Sequence, residues 1–239
     1  MSSVIKLSRS TVEKFITCPR CCVLEKKFKI RPPSLPFTLN IAVDNLCKNE
    51  FDYYRRLKKP HPLFLENHID AIPFQHEKLE EWRSNFKGIR YISKEKNYNF
   101  GGAIDDVWQK SNGQLIVADV KATSKNTFDW AETFNNYEYP KAYKRQLEMY
   151  QWLLQRNGFK VAKEAYLVYF NGQKNKEFFD NKLNFDTHLI KINCSTDWVE
   201  RKIEETVSLL KSDSFPKPSP NCEICTYLRK RWNLSQTLK

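Results

Sequence analysis

Apolar positions near the start of the chain fall on one side of a short helix: Val12, Phe15 and Ile16, with Ser10 and Glu13 at capping-box spacing. Cys18-Pro19-Arg20-Cys21 interrupts it, and a second short helical piece follows. The proline-rich stretch 31–36 reads as a loop. Phe37 to Lys58 contains neither Pro nor Gly and predicts a long helix, and Glu77 to Phe86 predicts another. The pattern then changes. Ile89–Ser93, Tyr98–Gln109 and Gln114–Ala122 read as strands, the last two joined through the hairpin signal Asn112-Gly113. Tyr139–Arg156 is a helix with Gly158 as its stop, and Ala165–Phe170 and His188–Ile192 are short strands. Asp197–Lys211 is a helix, followed by Pro216, Pro218, Pro220 and a basic tail. Helices, then a strand meander, then helix and strand predict an α/β fold: a mixed central sheet flanked by helices, with an N-terminal helical region. The expected organisation is a single domain over 1–239. Within it, 1–88 is the helical region, 89–195 the core, and 196–239 a helix plus a cysteine-containing tail.

Composition narrows the class. The chain has 239 residues, 41 % of them apolar, enough to bury a core rather than stay disordered. No apolar run reaches the length of a membrane span, and the N-terminus lacks a secretory pattern, so a cytoplasmic protein is expected. Lys plus Arg number 40 against 28 Asp plus Glu, a net charge of +12, which suggests a polyanionic partner such as nucleic acid. Seven cysteines, an odd number, argue against a complete disulfide framework.

Two carboxylates and a lysine stand where chemistry is expected. The first hairpin strand carries Gly101-Gly102-Ala103-Ile104-Asp105-Asp106, the second Ile116-Val117-Ala118-Asp119-Val120-Lys121. Strand side chains alternate faces, so Asp119 and Lys121 share one, and pairing across the hairpin can bring Asp105 to them. Two carboxylates about 4 Å apart repel by roughly 4 kcal/mol at an effective dielectric of about 20, and a bound cation relieves that repulsion. Such a pair suits a hard divalent ion, which polarises a phosphoryl oxygen and activates water. For the Asp-x-Lys triplet alone, a surface salt bridge is the simpler reading. On the next helix Gln146 and Tyr150 lie one turn apart on a common face.

Taken in order, G-x-x-D at Gly102–Asp105, D-x-K at Asp119–Lys121 and Q-x-x-x-Y at Gln146–Tyr150 resemble the PD-(D/E)XK nucleases. The likeness is to the RecB-like group, which includes the CRISPR-associated exonucleases. The resemblance implies a restriction-endonuclease-like core and Mg²⁺- or Mn²⁺-dependent hydrolysis of DNA. Asp105, Asp119 and the Val120 carbonyl would be metal ligands, and Lys121 the catalytic lysine. Gln146 and Tyr150 would shape the site and contact DNA. Asp106 competes with Asp105, but the G-x-x-D register favours Asp105. The group usually carries a metal-binding His on the preceding helix; here Asp44 stands at that place, and Asp is a competent Mg²⁺ ligand. Two rival readings are a nucleic-acid-binding module that has lost cleavage and an interaction module stapled by its cysteines.

Those cysteines form two C-x-x-C pairs, Cys18/Cys21 and Cys222/Cys225, at opposite ends of the chain. Four thiolates suit a tetrahedral Zn²⁺ or a [4Fe–4S] cluster. The resemblance favours the cluster, although its usual pattern is one N-terminal and three C-terminal cysteines. Cys22 could replace Cys21, whereas Cys47 and Cys194 read as core residues. The four histidines form no spaced pair.

Overall fold

The computed structural model describes residues 4–237. The chain runs β1 (Ile5–Ser8), α1 (Arg9–Thr17), α2 (Pro19–Phe28), α3 (Thr38–Leu57), α4 (Pro62–Glu66), β2 (Ile72–Pro73), α5 (Leu79–Arg83), β3 (Ile89–Ser93) and β4 (Tyr98–Gly102). It continues through β5 (Asp106–Gln109), β6 (Leu115–Thr123), α6 (Trp130–Asn136), α7 (Tyr139–Arg156), β7 (Glu164–Gly172), β8 (Phe185–Asn193), α8 (Val199–Lys211) and α9 (Glu223–Thr237). One sheet has the order β1-β4-β3, the other β2-β5-β6-β7-β8. The result is the mixed α/β architecture expected, with helices flanking mixed sheets. Among the described residues, no helix is long and apolar enough to cross a membrane.

Two compact units emerge. One is drawn from the two ends of the chain and residues 92–100, the other from residues 36–91 and 101–196.

In the larger unit the five-stranded sheet is antiparallel except for the β6–β7 pair. A parallel pair needs a crossover, and the segment with α6 and α7 supplies it. Strand alternation divides β6. Ile116, Ala118 and Val120 enter an apolar core with Phe51, Phe64, Trp108, Tyr166 and Val168. Asp119 points the other way, toward α7, where Gln146 receives it. Fully burying each large apolar side chain contributes roughly 1.5–3 kcal/mol, so this core fixes the pleat and therefore the side on which Asp119 emerges. The hairpin signal gives a hairpin, closed by Lys110 N–H to the Gln114 carbonyl at 2.9 Å, with Gly113 at φ +81°.

The expected strand Tyr98–Gln109 is instead two strands in two sheets. The break at 103–105 is held by polar contacts outside the ladder. Ile104 N–H donates to the Trp82 carbonyl at 3.0 Å, and Arg83 Nε donates to the Asp105 carbonyl at 3.0 Å. Gly88, at φ +64°, passes so close to the Gly102 carbonyl that a side chain there would collide with it. These contacts free Asp105 from regular pairing.

The smaller unit packs α1 and α2 against α8. Its first cap lies two residues earlier than Ser10/Glu13 suggest. Ser8 Oγ accepts the Thr11 N–H at 3.3 Å and Thr11 Oγ1 accepts the Ser8 N–H at 3.4 Å, because β1 leads straight into the helix. The basic tail is helical over Glu223–Thr237, a stretch free of Pro and Gly. The sequence reading also lacked α6, although Asp129 caps it through the Glu132 N–H at 2.9 Å.

Behind Asp105, the buried Asp106 carboxylate is bound by Arg55 and by Arg83 Nη2 at 2.9 Å, and Arg83 Nη1 reaches Asp52 Oδ2 at 2.8 Å. Removing one partner of a buried ion pair leaves charge uncompensated. Arg55→Met is therefore expected to lower unfolding free energy by about 3 kcal/mol. Urea denaturation at unchanged m-value measures this. A loss below roughly 1 kcal/mol, the scale of an exposed pair, would show that the network carries little stability.

Candidate active site and four-cysteine centre

Register brings the carboxylates together. Asp106 pairs with Ala118 in the antiparallel hairpin, so the preceding Asp105 falls opposite Asp119. Asp105 Oδ2 accepts the Val120 N–H at 3.0 Å, tying the carboxylate to the strand that carries Asp119 and Lys121. Lys121 Nζ contacts Asp119 Oδ2. Gln146 Nε2 donates to Asp119 Oδ1 at 2.7 Å and to the Tyr150 hydroxyl at 3.1 Å. From α3, Asp44 joins through Lys48, whose ammonium lies 2.6 Å from Asp44 Oδ2 and 2.9 Å from Asp105 Oδ1. Asp44, Asp105, Asp119, Lys121, Gln146 and Tyr150 thus form one connected cluster. Asp106 turns away into the arginine network.

The environment splits the carboxylates. Burial pushes the Asp119 carboxyl up to about 7; Lys121 opposes that rise and Asp105 adds to it. Burial acts on Asp105 in the same sense, but Lys48 and Lys121 outweigh it and hold its carboxyl below the usual range. Asp44 is raised, first by burial and then by repulsion from Asp105. Three carboxylates and two ammonium groups leave a formal excess of one negative charge. Among the described residues, Asp44 Oδ1 is a buried oxygen with no hydrogen-bond partner. A buried, unpartnered carboxylate oxygen in an all-oxygen donor set fits a hard divalent cation.

Sequence reasoning missed two residues here. Lys48 follows Asp44 by one helical turn, a spacing that signals its role. Tyr143 lies 4.7 Å from Lys121 Nζ, with the ammonium over its ring. Tyr139, Tyr143, Gln146 and Tyr150 recur at helical spacing on α7, so one face of that helix addresses the cluster.

A family model for the PD-(D/E)XK nuclease superfamily matches residues 39–229. The chain belongs to the PD-(D/E)XK nuclease superfamily. No curated protein matches at a significant level. Among solved structures, SSO0001 is similar at 16 % identity, over 89 % of this chain and 80 % of that one, with a TM-score of 0.42. A "Putative exonuclease" of Eubacterium rectale is similar at 12 % identity, over 92 % and 86 %, with a TM-score of 0.44.

In this PD-(D/E)XK chain the four expected cysteines also converge. Cys18, Cys21, Cys222 and Cys225 are buried, with their sulfurs all within 4.8 Å of one another. Sulfur separations are 3.8 Å for Cys18–Cys225 and 3.5 Å for both Cys21–Cys222 and Cys21–Cys225, too long for disulfides. Local structure explains the selection. Cys18 ends α1 and Pro19 opens α2, so Cys21 follows within the first turn on the same side. Burial works to raise the Cys18 thiol, yet the Ser219 N–H and its neighbours bring it down to about 6. Cys22 points elsewhere: it donates to the Thr11 carbonyl at 3.7 Å, and burial raises its thiol to about 11. Cys47 lies in the apolar core of the larger unit, as expected.

Cys18→Ser or Cys222→Ser is expected to lower the thermal midpoint by roughly 5 °C or more, since a ligand lost from such a centre is folding free energy lost. Limited proteolysis should show the C-terminal segment loosened. Cys22→Ser should leave the centre's metal content unchanged. Equal stability of wild type, Cys18→Ser and Cys222→Ser would refute a stapling role.

Proposed function

We propose that this superfamily member is a metal-dependent deoxyribonuclease that hydrolyses phosphodiester bonds without a covalent intermediate, with residues 1–239 serving it as one domain. The convergence of Asp44, Asp105, Asp119 and Lys121 carries this reading. Asp44, Asp105, Asp119 and the Val120 carbonyl would hold Mg²⁺ or Mn²⁺, which when bound supplies Lewis acidity and an activated water. Lys121 faces the same position and can orient that water or neutralise charge developing on the phosphoryl oxygens. Gln146 fixes the rotamer of Asp119, and Tyr150 supports Gln146. The net charge of +12 supports a polyanionic substrate.

Asp119→Asn removes an anionic donor at nearly constant volume and should abolish cleavage of labelled DNA. Lys121→Met should reduce the rate by roughly 10²–10³-fold, the scale of losing one preorganised donor. Asp119→Asn should still bind DNA, with affinity falling steeply as salt rises. Unchanged turnover in folded Asp119→Asn would sink the assignment. Salt-independent binding would favour an interaction module instead.

For the four cysteines we infer a single tetrahedral ion, zinc, in preference to the cluster the resemblance favours. A Zn–S bond of about 2.3 Å puts the sulfurs of a tetrahedron about 3.8 Å apart, close to the 3.5–3.8 Å of three pairs here, with all four sulfurs within 4.8 Å of one another. A [4Fe–4S] cubane bonds its four thiolates to separate corners and so spreads them further. Metal analysis of protein purified without oxygen should return near-stoichiometric zinc. Iron with acid-labile sulfide would overturn this reading.

A further inference from the structure

We infer that Lys48 is an internal cation that a divalent ion must displace, so that this one side chain sets how tightly the carboxylate site holds metal. The inference rests on the reading of Asp44 and Asp105 as metal-binding groups.

The carboxylate oxygens show why displacement is needed. Asp119 presents Oδ1 to Gln146 and Oδ2 to Lys121. Asp105 gives Oδ2 to the Val120 N–H. Its Oδ1, together with Asp44 Oδ2, belongs to Lys48, at 2.9 and 2.6 Å. That leaves Asp44 Oδ1, which is buried and has no hydrogen-bond partner among the described residues. An ion using Asp44 and Asp105 together therefore meets the oxygens on which the Lys48 ammonium rests. That ammonium is inside the cluster rather than over its rim: only 15 % of the side chain is exposed.

Lys48 cannot remain there beside a divalent ion. Mg²⁺ approaches its oxygens to about 2.0–2.1 Å, whereas an ammonium sits at hydrogen-bond distance, so the two would share oxygens at close quarters. Their repulsion is twice that of two single charges at the same separation. The lysine stem is flexible, which lets the ammonium leave while α3 stays in place. Metal binding then competes with an intramolecular ion pair. Apparent affinity is lowered by the share of molecules in which Lys48 occupies the oxygens. The pairing has a structural return: without metal, Lys48 keeps Asp44 and Asp105 from repelling each other across the α3–Asp105 contact. Lys121 adds its charge from the Asp119 side, but Lys48 is the ammonium that contacts both Asp44 and Asp105.

Isothermal titration of Mg²⁺ and of Mn²⁺ into the full-length protein, with no nucleic acid present, tests the inference. Thiolates are poor ligands for these hard ions, so the cysteines do not obscure the signal. Lys48→Met should bind both ions more tightly by roughly tenfold or more, the effect of removing a competing occupant. Lys48→Arg retains the charge and should stay within about threefold of wild type. The metal-free thermal midpoint of Lys48→Met should fall, and saturating Mn²⁺ should raise it by more than it raises wild type. Lys48→Gln provides a second neutral variant if Lys48→Met folds poorly. Affinity in the neutral variants equal to or weaker than wild type would overturn the inference while leaving the metal site standing. If no variant, wild type included, bound either ion, the reading of the carboxylates as a metal site would fall with it.

Discussion

Asp105 repels Asp44 on one side and Asp119 on the other, and the groups around these three carboxylates answer that repulsion. Two of these groups come from opposed positions of a hairpin and the third from a helix. None could stay buried and ionised without partners, because desolvating a charge costs several kcal/mol even after relaxation. The fold supplies positive charge in Lys48 and Lys121, and donors in the Val120 N–H and the Gln146 amide. The compensation is incomplete. A formal negative charge and an unpartnered oxygen on Asp44 remain. An incompletely balanced oxygen cluster is what the proposed cation site requires.

The contrast between neighbours Asp105 and Asp106 shows how the backbone decides which role a residue takes. Both are Asp, one peptide apart. Asp106 is the first residue of β5, and its buried side chain is held by Arg55 and Arg83. Asp105 sits in the break before that strand and turns to the opposite side, with 22 % of its side chain exposed. Arg83 serves both, holding the Asp106 carboxylate with one nitrogen and the Asp105 carbonyl with another. The arginine network is thus a brace for the position from which Asp105 projects. The carboxylate cluster and the arginine network are two faces of the same strand end.

Much of this was legible in the residues. Alternation along Ile116–Lys121 placed Asp119 and Lys121 on one face, and the Asn112-Gly113 turn supplied the register that puts Asp105 opposite. What was not legible depended on tertiary contacts. The β4–β5 break follows from the close approach of Gly88 to Gly102 and from carbonyls reached by Ile104 and Arg83; a run of strand-forming residues does not announce it. Lys48 looked like one lysine among many, and only the position of Asp105 gives it meaning. Cys21 and Cys22 are the same residue side by side, and the start of α2 at Pro19 decides between them. Ser8 caps α1 instead of Ser10 because the preceding strand fixes where the helix can begin.

The two clusters differ in the kind of metal each can retain. Four thiolates form a soft donor set, and oxygen donors alone form a hard one. Zinc binds well to thiolate, whereas Mg²⁺ gains little from it and favours carboxylate. On the proposed function, sorting by hardness would let one chain hold a structural ion and an exchangeable one without the first occupying the second's place. Asp44 sharpens that separation. A histidine at its position would add an imidazole, which zinc also favours, to the oxygen cluster. With Asp there, the site keeps oxygen donors alone and gains a charge. That extra charge in turn requires a counterion whenever metal is absent, and Lys48, one turn along the same helix, is placed to provide it.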